Sequence, residues 1–190
     1  MNKTMIIKAI ALAAATVAVG AQADTLKKIK DTGSVTMGVR ESSGALSYTL
    51  GDGKYVGFHV EVCTKVLADI QKQLGLAKLE IKYQPVTSQN RIPLVTNGTV
   101  DLECGSTTNN AARQKDVAFA YTTYVEEVRI AVNAKSGITG IKDLNGKTVA
   151  TTTGTTSVQT LRKNERAGGI DFKEVMGKDH AASFLLLESG

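Results

Sequence analysis

Residues 104–115 of this 190-residue chain read CGSTTNNAARQK, the densest group of side chains able to grip an anion. Ser106, Thr107 and Thr108 are three successive hydroxyls, Asn109 and Asn110 follow, and Arg113 comes five residues after Thr108. An alternating run over 98–103 feeds the stretch as a short strand. Small hydroxyl residues at a strand end leave backbone N–H groups open and add donors of their own. An Arg on the next turn can fold back and hold a carboxylate through two parallel hydrogen bonds. The same residue types also suit a capped helix with a surface Arg. Taken alone, the stretch fits either an anion clamp or a plain cap.

Two further strand ends carry an Arg. An alternating strand over 34–39 (Val35, Met37, Val39) runs into Arg40, Glu41, Ser42 and Ser43. A second, over 78–86, runs into TSQNR, which supplies Ser88 and Arg91 and opens a helix to about 95 that Asn97-Gly98 stops. The third strand, over 99–103, leads to the 104–115 stretch. Open α/β sheets place ligands beyond the carboxyl ends of their strands. Three parallel strand ends, each delivering an Arg, predict one convergent cationic crevice. A fourth strand over 147–151 meets TTGTTS at 152–157 and then a helix to about 166. Thr152 and Thr155 thus sit where a helix N-terminus offers an anion seat, with an ordinary cap as the alternative.

The remaining elements position these ends. A short basic helix over 25–31 closes at Gly33, and Gly51-Asp52-Gly53 marks a hairpin between 47–50 and 54–57. Residues 58–74 carry Val62, Val66, Ile70 and Leu74, with Leu67 beside them, a stripe that predicts an amphipathic helix capped by Gly75. Residues 124–134 read as an extended stretch. Turn chemistry surrounds a short helix over 135–146, a strand follows over 171–176, and Asp179-His180 opens a last helix. Strands alternating with helices make the chain α/β.

Composition narrows the function. Lys3 and Lys8, an apolar run over 10–19 and Ala21-Gln22-Ala23 form a secretory signal peptide, expected to be cleaved before Asp24. The apolar run is shorter than the ~20 residues of a membrane span. Cleavage lowers the formal charge from +5 to +3. The basic residues are dispersed and not interleaved with aromatics, which speaks against nucleic acid. A mild positive field helps to collect small anions. With no CxxC and only His59 and His180, no metal site or cofactor is expected. Two cysteines, Cys63 and Cys104, are too few for a disulfide scaffold. They could bridge in an oxidising compartment, but the expectation is two buried free thiols.

Several strings together resemble the periplasmic solute-binding proteins of ABC transporters for polar amino acids, nearest to the glutamate/aspartate binders. They are RESSGALSY, TSQNRIPL, NGTVDLECGSTTNN followed by RQK, TTTGTTS, and GKDH with SFLLLESG. The resemblance covers the whole mature chain and implies the two-domain, type II periplasmic-binding-protein fold, closing on ligand like a hinged trap. It implies a first domain over 24–126, a crossover near 124–131, and a second domain from 127 that is incomplete at 190. Arg113, with Ser106 and Thr108, would hold the ligand α-carboxylate. Arg40, Arg91 and Ser88 would meet the side-chain carboxylate. Thr152 and Thr155 would contribute from the second domain, where TTGTT replaces the usual TSGTT, and His180 would lie near the side-chain end. The implied ligand is L-glutamate or L-aspartate, the implied partner a membrane permease of an ABC transporter, and the protein a monomer. The family's acidic partner for the α-ammonium falls beyond Gly190, so the chain is expected to be the N-terminal portion of a longer protein. The competing readings are an exported dehydratase-like enzyme on the same fold and the ligand-sensing domain of a receptor. For the enzyme, Glu41, Glu103 and His180 are the only acid–base candidates near the crevice.

Overall fold

The computed structural model describes residues 24–190. The signal-peptide reading, over 1–23, lies outside the described residues. Helix α1 (Thr25–Thr32) starts at Asp24, whose carboxylate accepts from the Lys27 N–H, and ends at Gly33. Gly33 has φ +64° and sends its N–H back to the Ile29 carbonyl, a left-handed stop that favours glycine. The chain then turns directly into β1 (Ser34–Val39).

Strand β1 is the centre of a parallel three-stranded sheet. It lies between β4 (Glu80–Pro85) and β5 (Leu102–Glu103). Val35 pairs with Ile81 and Met37 with Tyr83 on one side; Met37 pairs with Leu102 and Gly38 with Glu103 on the other. Val35, Met37 and Val39 share one face of the strand and are all buried. They pack with Ile29 of α1 and with Val60 and Leu67 of α2 (Phe58–Gln73). A hairpin of β2 (Tyr48–Gly51) and β3 (Lys54–Val56) intervenes between β1 and α2, turning on Asp52 (φ +49°) and Gly53. A short helix α3 (Arg91–Thr96) joins β4 to β5.

A second unit has β6 (Thr148–Thr152) parallel to β7 (Lys173–Gly177), with α4 (Thr156–Gly168) as the crossover and α5 (His180–Ser189) last. Its core is Leu144, Leu161 and Phe172 with Ile138, Ile141, Val149 and Ile170 around them. No helix among the described residues is long and apolar enough to cross a membrane.

Three expectations change. Cys63 and Cys104 are not free thiols but form a disulfide, their Cα atoms 6.3 Å apart. Cys63 lies on the inward face of α2 and Cys104 follows β5 into the same core, so the fold brings together two residues 41 apart in sequence. The buried face of α2 runs through Val60, Cys63, Leu67, Ile70 and Leu74, while Val66 is 47% exposed. The stripe is therefore rotated from the predicted one, because the inward cysteine counts as apolar. The third strand shrinks to two residues: Asp101 turns its carboxylate to the Thr36 N–H and to Lys28, although the Asp101 N–H still reaches the Thr36 carbonyl. Residues 124–134 join no strand ladder.

Candidate functional site

The ends of β1, β4 and β5 converge. Arg40, one residue past β1, is 1% exposed. Its backbone N–H donates to the Ser47 hydroxyl at 2.9 Å. Its guanidinium donates to Ser88 Oγ at 2.9 Å, beyond β4, and to Ser106 Oγ at 3.2 Å, beyond β5. One buried cation thus ties all three strand ends together. Ser88 and Ser106 each accept from Arg40 and keep a hydroxyl proton to donate elsewhere. Ser106 Oγ lies 3.0 Å from Ser43 Oγ.

Arg91 opens α3 and is 3% exposed. Its Nε and Nη1 are buried and have no hydrogen-bond partner. Groups of this kind are costly to leave unpaired, by several kcal/mol for an ion. Burial lowers the Arg91 pKa to about 10; Glu103 opposes the fall, while Arg40 and Arg113 add to it. Arg113, half-buried, is held by the Thr108 carbonyl at 2.9 Å and the Gly154 carbonyl of the second unit at 3.2 Å. The Asn110 side chain accepts from the Arg113 N–H at 2.9 Å, so this stretch contains a turn cap as well as an inward-bound arginine. Burial lowers the Arg40 and Arg113 pKa values too, again opposed by Glu103.

The second unit closes over these groups. Gly154 has φ +80°, and a Cβ there would fall 2.6 Å from Gln89 Cα and from the Ser88 carbonyl oxygen. Helix α4 has no side-chain cap at Thr155, whose hydroxyl donates instead to the Thr152 carbonyl at 2.8 Å. The N-terminal N–H groups of α4 therefore receive nothing from their own N-cap side chain, which leaves them suited to an anion. His180 Nδ1 lies 3.1 Å from the Thr152 hydroxyl. Burial first, then Arg40 and Arg91, lower the His180 pKa, with Asp179 opposing. At neutral pH the ring is uncharged and offers one donor and one acceptor.

A cavity of about 520 Å³ lies between the two units. Of the nine residues predicted from sequence, Ser88, Arg91, Ser106, Thr108, Thr155 and His180 line it. Arg40, Arg113 and Thr152 are not among the lining residues, but each is bonded to one of them: Arg40 to Ser88 and Ser106, Arg113 to the Thr108 carbonyl, and Thr152 to His180. Sequence reasoning missed Ser43, Thr156, Ser157, Glu126 and Phe184 at the wall. It also missed Glu103 as a partner of the arginines. Ser43 was within reach, because it shares the strand-end string with Arg40. Among the described residues no group of His, Cys, Asp and Glu could hold a metal ion.

Residues 35–182 match the bacterial extracellular solute-binding proteins, family 3. The chain belongs to that family. Among its relatives, the L-glutamate/L-aspartate-binding protein of Pseudomonas aeruginosa is 45% identical over 168 residues, 87% of this chain and 55% of that one. The glutamate/aspartate import solute-binding protein of Salmonella typhimurium is 42% identical, over 90% of this chain and 56% of its own. The chain thus spans a little over half the length of these relatives. Solved structures share the type II periplasmic-binding fold. The ancestral amino acid-binding protein AncCDT-1, a precursor of cyclohexadienyl dehydratase, superposes with TM-score 0.71 at 24% identity, over 87% of this chain and 71% of that one. The solute receptor for L-cysteine of Neisseria gonorrhoeae gives 0.69 at 20%, over 87% and 64%.

Proposed function

We propose that this chain captures glutamate or aspartate outside the cytoplasm and delivers it to the permease of an ABC importer. The observation that carries the reading is Arg91, almost fully buried at the cavity wall with two guanidinium nitrogens lacking partners. A ligand carboxylate is the group that such a buried, under-paired cation at a cavity wall accepts, through a charge-assisted hydrogen bond. In this reading Arg91 and the Ser88 hydroxyl, polarised by Arg40, take the side-chain carboxylate. Arg113, Ser106, Thr108 and the α4 N-terminus with Thr155 take the α-carboxylate, and His180, steadied by Thr152, donates near the side-chain end. The high identity to relatives named for glutamate and aspartate supports the same ligand class.

We read the protein as a binder without chemistry of its own. His180 is held neutral by burial and by two nearby cations, which makes it a weak base. The proposed setting is the periplasm, reached through a signal peptide over 1–23 that is cleaved. The proposed division is one domain over 24–126 and a second from 127, acting as a monomer. Calorimetric titration tests the reading. Glutamate and aspartate are expected to bind and glutamine to bind at least tenfold more weakly, since a neutral side chain leaves Arg91 unpaired at a cost of about 3–5 kcal/mol. Equal affinity for all three would refute it.

A further inference from the structure

We infer that Glu103 is a resident countercharge of the arginine cluster, a positioning residue that keeps Arg40, Arg91 and Arg113 gathered without ligand and sets how strongly the site favours a second ligand carboxylate. The inference rests on the binding role proposed above.

Glu103 ends β5, in register with Gly38 of the central strand. Its Oε2 accepts from the Thr107 hydroxyl at 2.8 Å. Its Oε1 is buried without a hydrogen-bond partner, as are Arg91 Nε and Nη1. Among the described residues Glu103 makes no direct ion pair. Its charge opposes the lowering of the pKa that burial imposes on each of the three arginines. Asp179 acts on Arg40 and His180, and its own carboxylate caps α5 through the Ala182 N–H.

Glycine at 105 makes the arrangement sterically feasible. A Cβ there would fall 2.2 Å from Glu103 Oε1 and 2.5 Å from Arg40 Cγ. The carboxylate and the arginine stem press against the same bare backbone. Three cations and one shared carboxylate leave an excess of positive charge, and each ligand carboxylate offsets part of it. Glu103 weakens the attraction for every anion, and weakens it most for the one with most charge.

The test substitutes Glu103→Gln, which keeps the side-chain size and an oxygen able to accept from Thr107. Glutarate and glutamine are titrated into the protein and the variant by calorimetry. Loss of the resident charge is expected to strengthen glutarate on the order of tenfold and glutamine by less. Equal changes for both ligands, or weakening of both, would make Glu103 merely structural and overturn the inference. Glutamate is titrated alongside: if the unsubstituted protein does not bind it, the proposed function fails, and Glu103 is still judged by a ligand-free measurement. There, Glu103→Gln lowers the thermal midpoint, and adding Arg91→Met recovers a large part of the loss. Additive losses from the two substitutions would contradict the inference.

Discussion

At the scale of single residues, the account depends on how three guanidinium groups are divided. Arg113→Ala is expected to abolish binding of all α-amino acids, because its proposed partner is the carboxylate they share. Arg91→Ala is expected to weaken glutamate by more than about 100-fold and glutamine by only a few-fold, following the ~3–5 kcal/mol cost of an unpaired buried ion. Calorimetry with both ligands checks the pair. Parallel losses for Arg91→Ala would remove its assignment to the side-chain carboxylate. The three arginines were legible in the sequence because each follows a strand. What was not legible is the layering: Arg40 reaches the cavity only through Ser88 and Ser106, on two other strand ends. Spacing along one chain does not encode that relay. Glu103 was hidden for a similar reason, since a carboxylate at a strand end reads as an ion pair until its neighbours are in place.

His180 adds a pH dependence with a definite sign. Its folded pKa lies below the ordinary 6.5. As pH falls below about 6.5, the unfolded chain takes up a proton that the folded chain resists. Stability is therefore fully present above that value and falls as pH drops toward the folded pKa. Denaturant titrations from pH 7.5 to 5 are expected to show this loss, and a His180→Gln variant a shallower one. Identical slopes in the two proteins would exclude His180 as its source.

At the scale of elements, the disulfide and the glycines locate the site. The Cys63–Cys104 bond ties α2 to the residue preceding Gly105 and Ser106, so it anchors the loop that carries the β5 side of the crevice. Closing a 41-residue separation corresponds to about 4 kcal/mol of unfolded-state entropy. Replacing both cysteines with serine is expected to lower unfolding free energy by roughly 2–4 kcal/mol in urea titrations. An unchanged midpoint would show that the bond adds no stability. Gly154→Ala is expected to weaken ligand binding at least tenfold while leaving each unit folded, because both its φ and its contact with Ser88 and Gln89 exclude a side chain. Undiminished affinity would mean that the close approach of the two units is not needed. The elements themselves were well marked. Gly33 and the alternation of Val35, Met37 and Val39 located β1 at its observed bounds. The face of α2 was misjudged because Cys63 was not counted among its apolar positions, and the pairing with Cys104 followed from that same face.

At the scale of the whole molecule, two α/β units meet around one cavity. Contacts cross between them: Arg113 to the Gly154 carbonyl, the Thr108 and Thr156 hydroxyls at 3.4 Å, and the Ala181 N–H to the Ser42 hydroxyl at 3.4 Å. Polar contacts of this kind are individually weak. A ligand that bridges the units would contribute much of what holds them closed. The α/β class and the order of the units were readable from alternating strands and helices. The crossing contacts were not, since they join residues up to 139 apart. The most direct measurement of the central claim is a crystal structure of the protein grown with glutamate. The side-chain carboxylate is expected within hydrogen-bond distance of the Arg91 guanidinium, with the α-carboxylate at Arg113. Glutamate bound elsewhere, with no carboxylate on the Arg91 guanidinium, would contradict the account.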